Sequence, residues 1–326
     1  MPVKCQTRSD IPITEYQYAD DAAMAQMEIS WLPTEPQVEK DLGAVLTQLA
    51  EAELHGTLTQ LKLFTLYELK AGNDYWGRRF PQMFPRPEFQ GMASAFAHTE
   101  LNVHAKFYRR IDELLGMNTP EFYHSFTQDK VLAERMAFLG ACIGDKDDLF
   151  SIGAFSLVEG CILYSSFAFL MHFQADGKNM LPNLHAGLTF SVKDENLHAD
   201  AGAWAYSTLK DEKNLSETAQ QKLDAKLVEA AQKIIEHEDY IIDLTFSKGS
   251  IKGITSLQLK HFVASRVNLG LEKLGIEPIS SVPYNPVADW FYPMISGDTQ
   301  HDFFYKLGSS YNRNWKLDNF KWGASE

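Results

Sequence analysis

Apolar side chains recur at three- and four-residue spacing along nearly the whole chain, and no run keeps the two-residue alternation of a half-buried strand for long. That periodicity predicts an all-α fold. A long helical stretch is expected from about residue 36 to 70, then helices over roughly 88–115, 128–143, 147–174, 183–211, 216–246 and 256–275. The punctuation agrees. Ala71-Gly72-Asn73 reads as a stop, Thr119-Pro120-Glu121 as an N-cap with proline in the first turn, and Thr255-Ser256-Leu257-Gln258 as a capping box. Residues ahead of Trp31 read as an irregular arm, and beyond Pro278 the period dissolves into proline, glycine and aromatic residues. With no repeat of solenoid length and no low-complexity linker, one domain with a C-terminal tail is the economical description.

The segment from Leu149 to Phe173 breaks the amphipathic rule, because Glu159 is its only charged residue. Length alone would let it cross a membrane. A carboxylate near the midpoint is costly there, and no second comparable span exists, so a helix buried on all sides of a large bundle is the better reading. Its carboxylate then needs a partner, and a metal ion is the obvious one.

Composition narrows the partners. Of 326 residues, 45% are hydrophobic, ample for a large core, and a net charge of -13 argues against nucleic acid or an anionic membrane surface. The three cysteines, Cys5, Cys142 and Cys161, are scattered and form no Cys-x-x-Cys pair. That usage fits a reduced, cytoplasmic protein with neither disulfides nor a zinc knuckle. The first residues show no signal-peptide pattern.

Chemistry is concentrated in two short segments. Glu195 and His198 lie three residues apart, and Glu100 and His104 lie four apart, with Tyr108 one turn further on. Helical positions at these spacings fall within about 40–60° of each other around the axis, so each pair can aim a carboxylate and an imidazole at one point. Two facing pairs, with a further carboxylate from each of two other helices, make the donor set of a di-iron or di-manganese centre. Glu159 supplies one of those carboxylates. The other is expected from the first long helix, where Leu61, Phe64 and Glu68 share a face, so Glu68 is preferred over Glu53. His55, His98, His172, His185 and the run Glu236-His237-Glu238-Asp239 read as structural or solvent-facing.

Taken together, the motifs resemble the small, radical-generating subunit of class I ribonucleotide reductase over most of the chain. Lys193-Asp194-Glu195-Asn196-Leu197-His198 is similar to its Arg/Lys-Asp-Glu-x-x-His. Glu159-Gly160, followed by Tyr164 and Phe167, resembles its Glu-Gly and aromatic-rich helix, and His104-Ala105-Lys106-Phe107-Tyr108 its His-x-x-x-Tyr. Trp31-Leu32-Pro33 resembles its Trp-x-Pro, Ser309-Ser310-Tyr311 the approach to its tail, and Asp318-Asn319-Phe320 its terminal docking segment.

The resemblance implies a ferritin-like helical bundle over residues 1–311 and a flexible tail, residues 312–326, that docks on a large catalytic subunit. By position, Glu68, Glu100, His104, Glu159, Glu195 and His198 would ligate two metals. Iron comes first, with manganese or a mixed pair sharing the same ligands, and selection can depend on availability or an activating flavoprotein. Tyr108 would be oxidised to a stable radical. Trp31, Asp194 and His104 would form the radical-transfer route to the surface, and Tyr311 would pass the oxidising equivalent on. The chain would act as a homodimer in making deoxyribonucleotides, without binding the nucleotide itself.

Two departures matter. The family has Glu-x-x-His in both pairs, whereas the first here is Glu100-x-x-x-His104. Either a one-residue bulge in that helix restores convergence, or Glu100 is not a ligand and Leu101 occupies the expected position. The first-helix ligand is commonly aspartate, so Glu68 is a change of type. The alternatives are another di-metal oxidase or hydroxylase on the same fold, which would not need Trp31, Asp194 or Tyr311, and metal storage.

Overall fold

The protein, analysed as a computed structural model, is described over residues 3–295. A lone antiparallel bridge between Ile251 and Ile254 is the sole β-pairing among the described residues, so the all-α expectation holds. The chain runs through α1 (Gln17–Glu28), α2 (Leu42–Thr47), α3 (Glu51–Leu69), a π-helical segment (Lys70–Arg79), α4 (Phe80–Met83) and α5 (Pro87–Thr99). A second π-helical segment (Glu100–His104) leads into α6 (Ala105–Leu114), α7 (Pro120–Gln128) and α8 (Lys130–Gly144). Then come α9 (Asp148–Cys161), α10 (Tyr164–Met171), α11 (Pro182–Lys213), α12 (Glu217–Thr245) and α13 (Ser256–Lys273). Thr119 caps α7 by accepting the Phe122 N–H, and Thr255 and Gln258 form the reciprocal capping box of α13.

Several elements differ from the sequence reading, each for a physical reason. The supposed N-terminal arm contains α1, whose buried stripe is Ala19, Ala22, Ala23 and Gln26. That stripe has helical spacing, but alanine is too small to stand out as an apolar period. Ala71-Gly72-Asn73 does not stop the first long helix, which continues as a π-helix to Arg79. The 147–174 helix is broken at Leu163, which adopts the left-handed region (φ 74°) between α9 and α10. For a non-glycine residue this conformation costs about 1–2 kcal/mol. A helical segment also follows at 286–295. Glu236-His237-Glu238-Asp239 is not a solvated face throughout: His237 and Glu238 are buried, and Glu238 pairs with buried Arg135 at 2.5 Å.

The long apolar stretch is the core of the bundle. Every residue of α9 from Leu149 to Cys161, and every residue of α10, is buried. The run is long and apolar enough to span a membrane, yet its apolar window lies wholly inside the protein. It packs chiefly on α11, and small residues let the two backbones approach. A Cβ placed on Gly202 would sit 3.1 Å from Ser156 Cβ, and the Ser156 hydroxyl donates to the Ala199 carbonyl at 2.9 Å. This close seam sets Glu159 against Glu195 and His198.

Burial also explains one histidine outside the site. The His172 ring donates through Nδ1 to the Phe169 carbonyl, while its buried Nε2 has no partner. Desolvation pushes its pKa from 6.5 down to about 3. Below pH 6.5 the unfolded chain therefore binds a proton that the folded chain refuses. The stability that neutral His172 contributes is present above pH 6.5 and is lost as pH falls towards 3. His172→Phe is expected to flatten the fall in melting temperature of the metal-free protein between those limits, as followed by circular dichroism. An unchanged pH slope would exclude His172 as the cause.

Candidate metal centre

Six residues predicted from the sequence converge in the middle of the bundle, and all six are buried. Glu68 comes from the last turn of α3, Glu100 and His104 from the second π-helical segment, Glu159 from α9, and Glu195 and His198 from α11. Their donor atoms form two overlapping groups: Glu68, Glu100, His104 and Glu195, and Glu100, Glu159, Glu195 and His198. Within each group the atoms lie within 4.8 Å of one another. Glu100 and Glu195 are common to both. Glu53 lies outside, its carboxylate accepting the Ala50 N–H at the start of α3.

The mismatched pair converges because its helix is not an α-helix there. Between Glu100 and His104 the winding is π, and the Ala105 N–H bonds back five residues to the Glu100 carbonyl. The extra residue per turn lets a four-residue spacing do what three residues do in α11. His104 Nδ1 lies 3.4 Å from Glu100 Oε2, 3.3 Å from Glu195 Oε1 and 3.6 Å from Glu68 Oε2. His198 Nδ1 lies 2.7 Å from Glu100 Oε1.

Behind the two imidazoles, a buried network fixes which nitrogen faces the carboxylates. Asp194 Oδ2 accepts from Trp31 Nε1 at 2.8 Å and from His104 Nε2 at 2.9 Å. Its Oδ1 accepts from Gln26 Nε2 at 2.8 Å, which turns the Gln26 carbonyl towards His198 Nε2 at 2.9 Å. A carboxylate only accepts, so it orients the Gln26 amide, and both rings carry their proton on Nε2 when neutral. The Nδ1 lone pairs are thereby left for a metal, the usual arrangement of a ligating histidine held from behind.

Charge at the centre is unbalanced. Burial, and then Glu100, holds Glu68 well above the usual carboxylate range. Burial and Glu195 do the same for Glu159, while burial and Glu100 raise Glu195 to about 8. Burial would raise Glu100 too, but Glu68 and the histidines outweigh it and hold that carboxyl low. His104 is raised despite burial because the carboxylates, Glu100 first, favour its cation. Among the described residues, nine buried atoms of this centre find no hydrogen-bond partner: both oxygens of Glu68, Glu100 and Glu195, Glu159 Oε2, and Nδ1 of His104 and His198. Each such orphan costs about 1–3 kcal/mol. Convergent, unpartnered oxygen and imidazole donors with excess negative charge fit a pair of divalent metal ions.

Sequence reasoning missed several neighbours. Gln26 and Trp76, whose Nε1–H donates to Glu159 Oε1 at 2.8 Å, reach in singly from other elements and leave no spacing signal. Buried Arg266 donates to the Gly160 carbonyl through Nε (3.1 Å) and Nη2 (2.9 Å), beside the break at Leu163, and covers the Tyr164 ring at 3.9 Å. Tyr67, next to Glu68, is buried with an unpartnered hydroxyl.

Tyr108 is fully buried, stacked on Phe64 with centroids 4.2 Å apart and planes at 17°, with Phe107 edge-on at 5.1 Å. Its hydroxyl makes no hydrogen bond of ordinary length, the Ser191 hydroxyl being its polar neighbour, and burial followed by the Glu68 charge raises its pKa well above 10.0. Tyr311 and the tail at 312–326 lie outside the described residues.

Known proteins share this arrangement of helices. The chain is similar, at 19% identity and a TM-score of 0.75, to a dimanganese(II)-NrdF of Streptococcus sanguinis, covering 86% of this chain and 97% of that one. It is likewise similar to a putative class I ribonucleotide reductase of Bacillus halodurans (20% identity, TM-score 0.73, 86% and 100% covered). In sequence it is 25% identical over 313 residues to a probable ribonucleoside-diphosphate reductase small subunit of Invertebrate iridescent virus 3, spanning 90% of this chain and 81% of that protein. The family model described as "Ribonucleotide reductase, small chain" matches residues 10–286, from just before α1 to the start of the last helical segment, and so takes in every element that supplies the six buried donors. The resemblance read from the motifs is thus borne out, and this chain belongs to the ribonucleotide reductase small chain family, oxidoreductases of the class I type.

Proposed function

We propose that Glu68, Glu100, His104, Glu159, Glu195 and His198 hold two metal ions, and that Tyr108 carries the radical used in ribonucleotide reduction. The observation that carries this reading is the set of nine unpartnered donor atoms in one buried, negatively charged centre. Glu68, Glu100, His104 and Glu195 would form one donor group and Glu100, Glu159, Glu195 and His198 the other. When bound, the ions supply dioxygen activation and the oxidising equivalent. The chain's own residues do the rest. Asp194 and Gln26 hold the imidazoles in the ligating tautomer. Trp76 orients Glu159 through Oε1 and leaves Oε2 free for the metal side.

Tyr108 gives up one electron and its phenolic proton, and the Phe64 and Phe107 rings exclude water and reductants from the phenoxyl that remains. Trp31, Asp194 and His104 form a hydrogen-bonded route outward, with Tyr311 as the last carrier. Family membership implies a large catalytic subunit as partner and a homodimeric small subunit. Iron leads as the metal, and manganese, with an activating flavoprotein, is the other choice, because carboxylate and imidazole donors suit both.

Metal analysis of protein isolated from its native source, followed by EPR after aerobic loading, tests the reading. Two ions per chain and a tyrosyl signal are expected. Glu159→Ala is expected to lower metal affinity at least tenfold, the lower end of what loss of even a supporting contact costs. Full occupancy in that variant would remove Glu159 from the donor set.

A further inference from the structure

The two π-helical segments are neighbours in space, and Gly72 lies between them. Lys70–Arg79 begins two residues after Glu68, and Glu100–His104 begins at Glu100 itself. The segments pack on each other, so Glu68, two residues ahead of the first, and Glu100, which opens the second, meet at the centre beside two adjoining departures from α-helical winding. Gly72 is buried, and a Cβ built on it would stand 2.6 Å from Leu101 Cγ, 2.8 Å from Leu101 Cδ2 and 2.8 Å from Glu100 Cβ. These separations are far inside van der Waals contact. Leu101 can yield by rotating its side chain. Glu100 Cβ cannot, because it is fixed to the backbone of the π turn, so a side chain at 72 has to move that turn.

We propose that Gly72 is a positioning residue for Glu100, the close contact that seats the second π-helical segment so that its carboxylate enters both donor groups. This rests on the six-residue metal reading. A π turn is poorly stable by itself and persists where surrounding packing holds it. Gly72 supplies that packing at Glu100 Cβ and Leu101. The same glycine that reads as a helix stop in the sequence is thus a spacer between the segment that follows Glu68 and the one that carries Glu100 and His104.

Anaerobic titration with Mn(II) decides the question, with unbound metal read from the EPR signal of aqueous Mn(II). Four proteins are compared: wild type, Gly72→Ala, Gly72→Ala/Leu101→Ala, and Gly91→Ala as a control at a glycine with nothing within 4 Å of its Cβ position. Wild type and Gly91→Ala are expected to take up two ions per chain. Gly72→Ala is expected to bind about 10–100-fold more weakly, and truncating Leu101 as well is not expected to restore affinity, because the contact with Glu100 Cβ remains. Circular dichroism of the metal-free proteins establishes folding.

If Gly72→Ala does not fold, the double variant, relieved of both Leu101 contacts, carries the decision. Wild-type affinity in a folded Gly72→Ala, or in the double variant, overturns the proposal. Failure of the wild type to bind two ions instead overturns the metal reading on which it rests.

Discussion

Tyr108→Phe is expected to abolish the tyrosyl EPR signal after aerobic metal loading and to lower ribonucleotide reduction with the large subunit by on the order of 10³-fold or more, about 4 kcal/mol of barrier. The size follows from chemistry and not from packing. A phenol becomes a neutral radical by losing an electron and its O–H proton, and a phenyl ring has no such proton to lose. Everything else about the site should survive. The Tyr108 hydroxyl makes no hydrogen bond of ordinary length, only a weak contact with the Ser191 hydroxyl, so little is lost with it, and the ring's stack on Phe64 and edge contact with Phe107 persist. Deleting an unsatisfied buried hydroxyl is neutral or mildly stabilising. Melting temperature and metal content should therefore match wild type. This separates loss of the radical from loss of the fold. Turnover undiminished by the change would take the radical off Tyr108 and leave a metal-based oxidant in its place.

How far this centre could be read in the sequence depended on which helix carried each residue. Glu195 and His198 were legible because α11 is unbroken from Pro182 to Lys213, so a three-residue spacing maps directly onto one face. Glu159 was legible for a different reason: a lone carboxylate in an apolar helix has to be partnered. Glu100 and His104 were ambiguous. Their spacing conflicts with α-helical geometry by one residue, and the π turn that reconciles it, packed against the neighbouring segment, leaves no trace in the hydrophobic period.

The same blindness made Gly72 look like a terminator, since glycine signals either an end or a close approach and only the neighbour decides. The break at Leu163 was hidden too. Leucine is a poor left-handed residue, and Arg266, more than a hundred positions away, donates to the Gly160 carbonyl beside it. Gln26 sits on an alanine-faced helix whose small side chains mute the periodicity. Local pattern therefore placed the candidate donors, while the residues that orient them are set by contacts between distant segments.

Trp31→Phe is expected to separate holding the metals from passing the radical on. Trp31 is 5% exposed and lies at the outer end of the hydrogen-bonded chain through Asp194 to His104. Phenylalanine keeps an aromatic ring against Phe107 and Phe190, whose centroids are each 5.4 Å from the indole, but removes the Nε1–H that donates to Asp194 Oδ2. Asp194 still accepts from His104 and Gln26, so both imidazoles keep their tautomers. Metal content should be unchanged, and the Tyr108 signal should form. Ribonucleotide reduction with the large subunit should nevertheless fall by on the order of 10³-fold, about 4 kcal/mol, because a phenyl ring is far harder to oxidise than an indole and offers no proton to Asp194. Two results would each remove Trp31 from the route. Wild-type turnover would show that the oxidising equivalent leaves by another path. Loss of metal in step with activity would show that the indole serves to hold Asp194, and through it His104, in place.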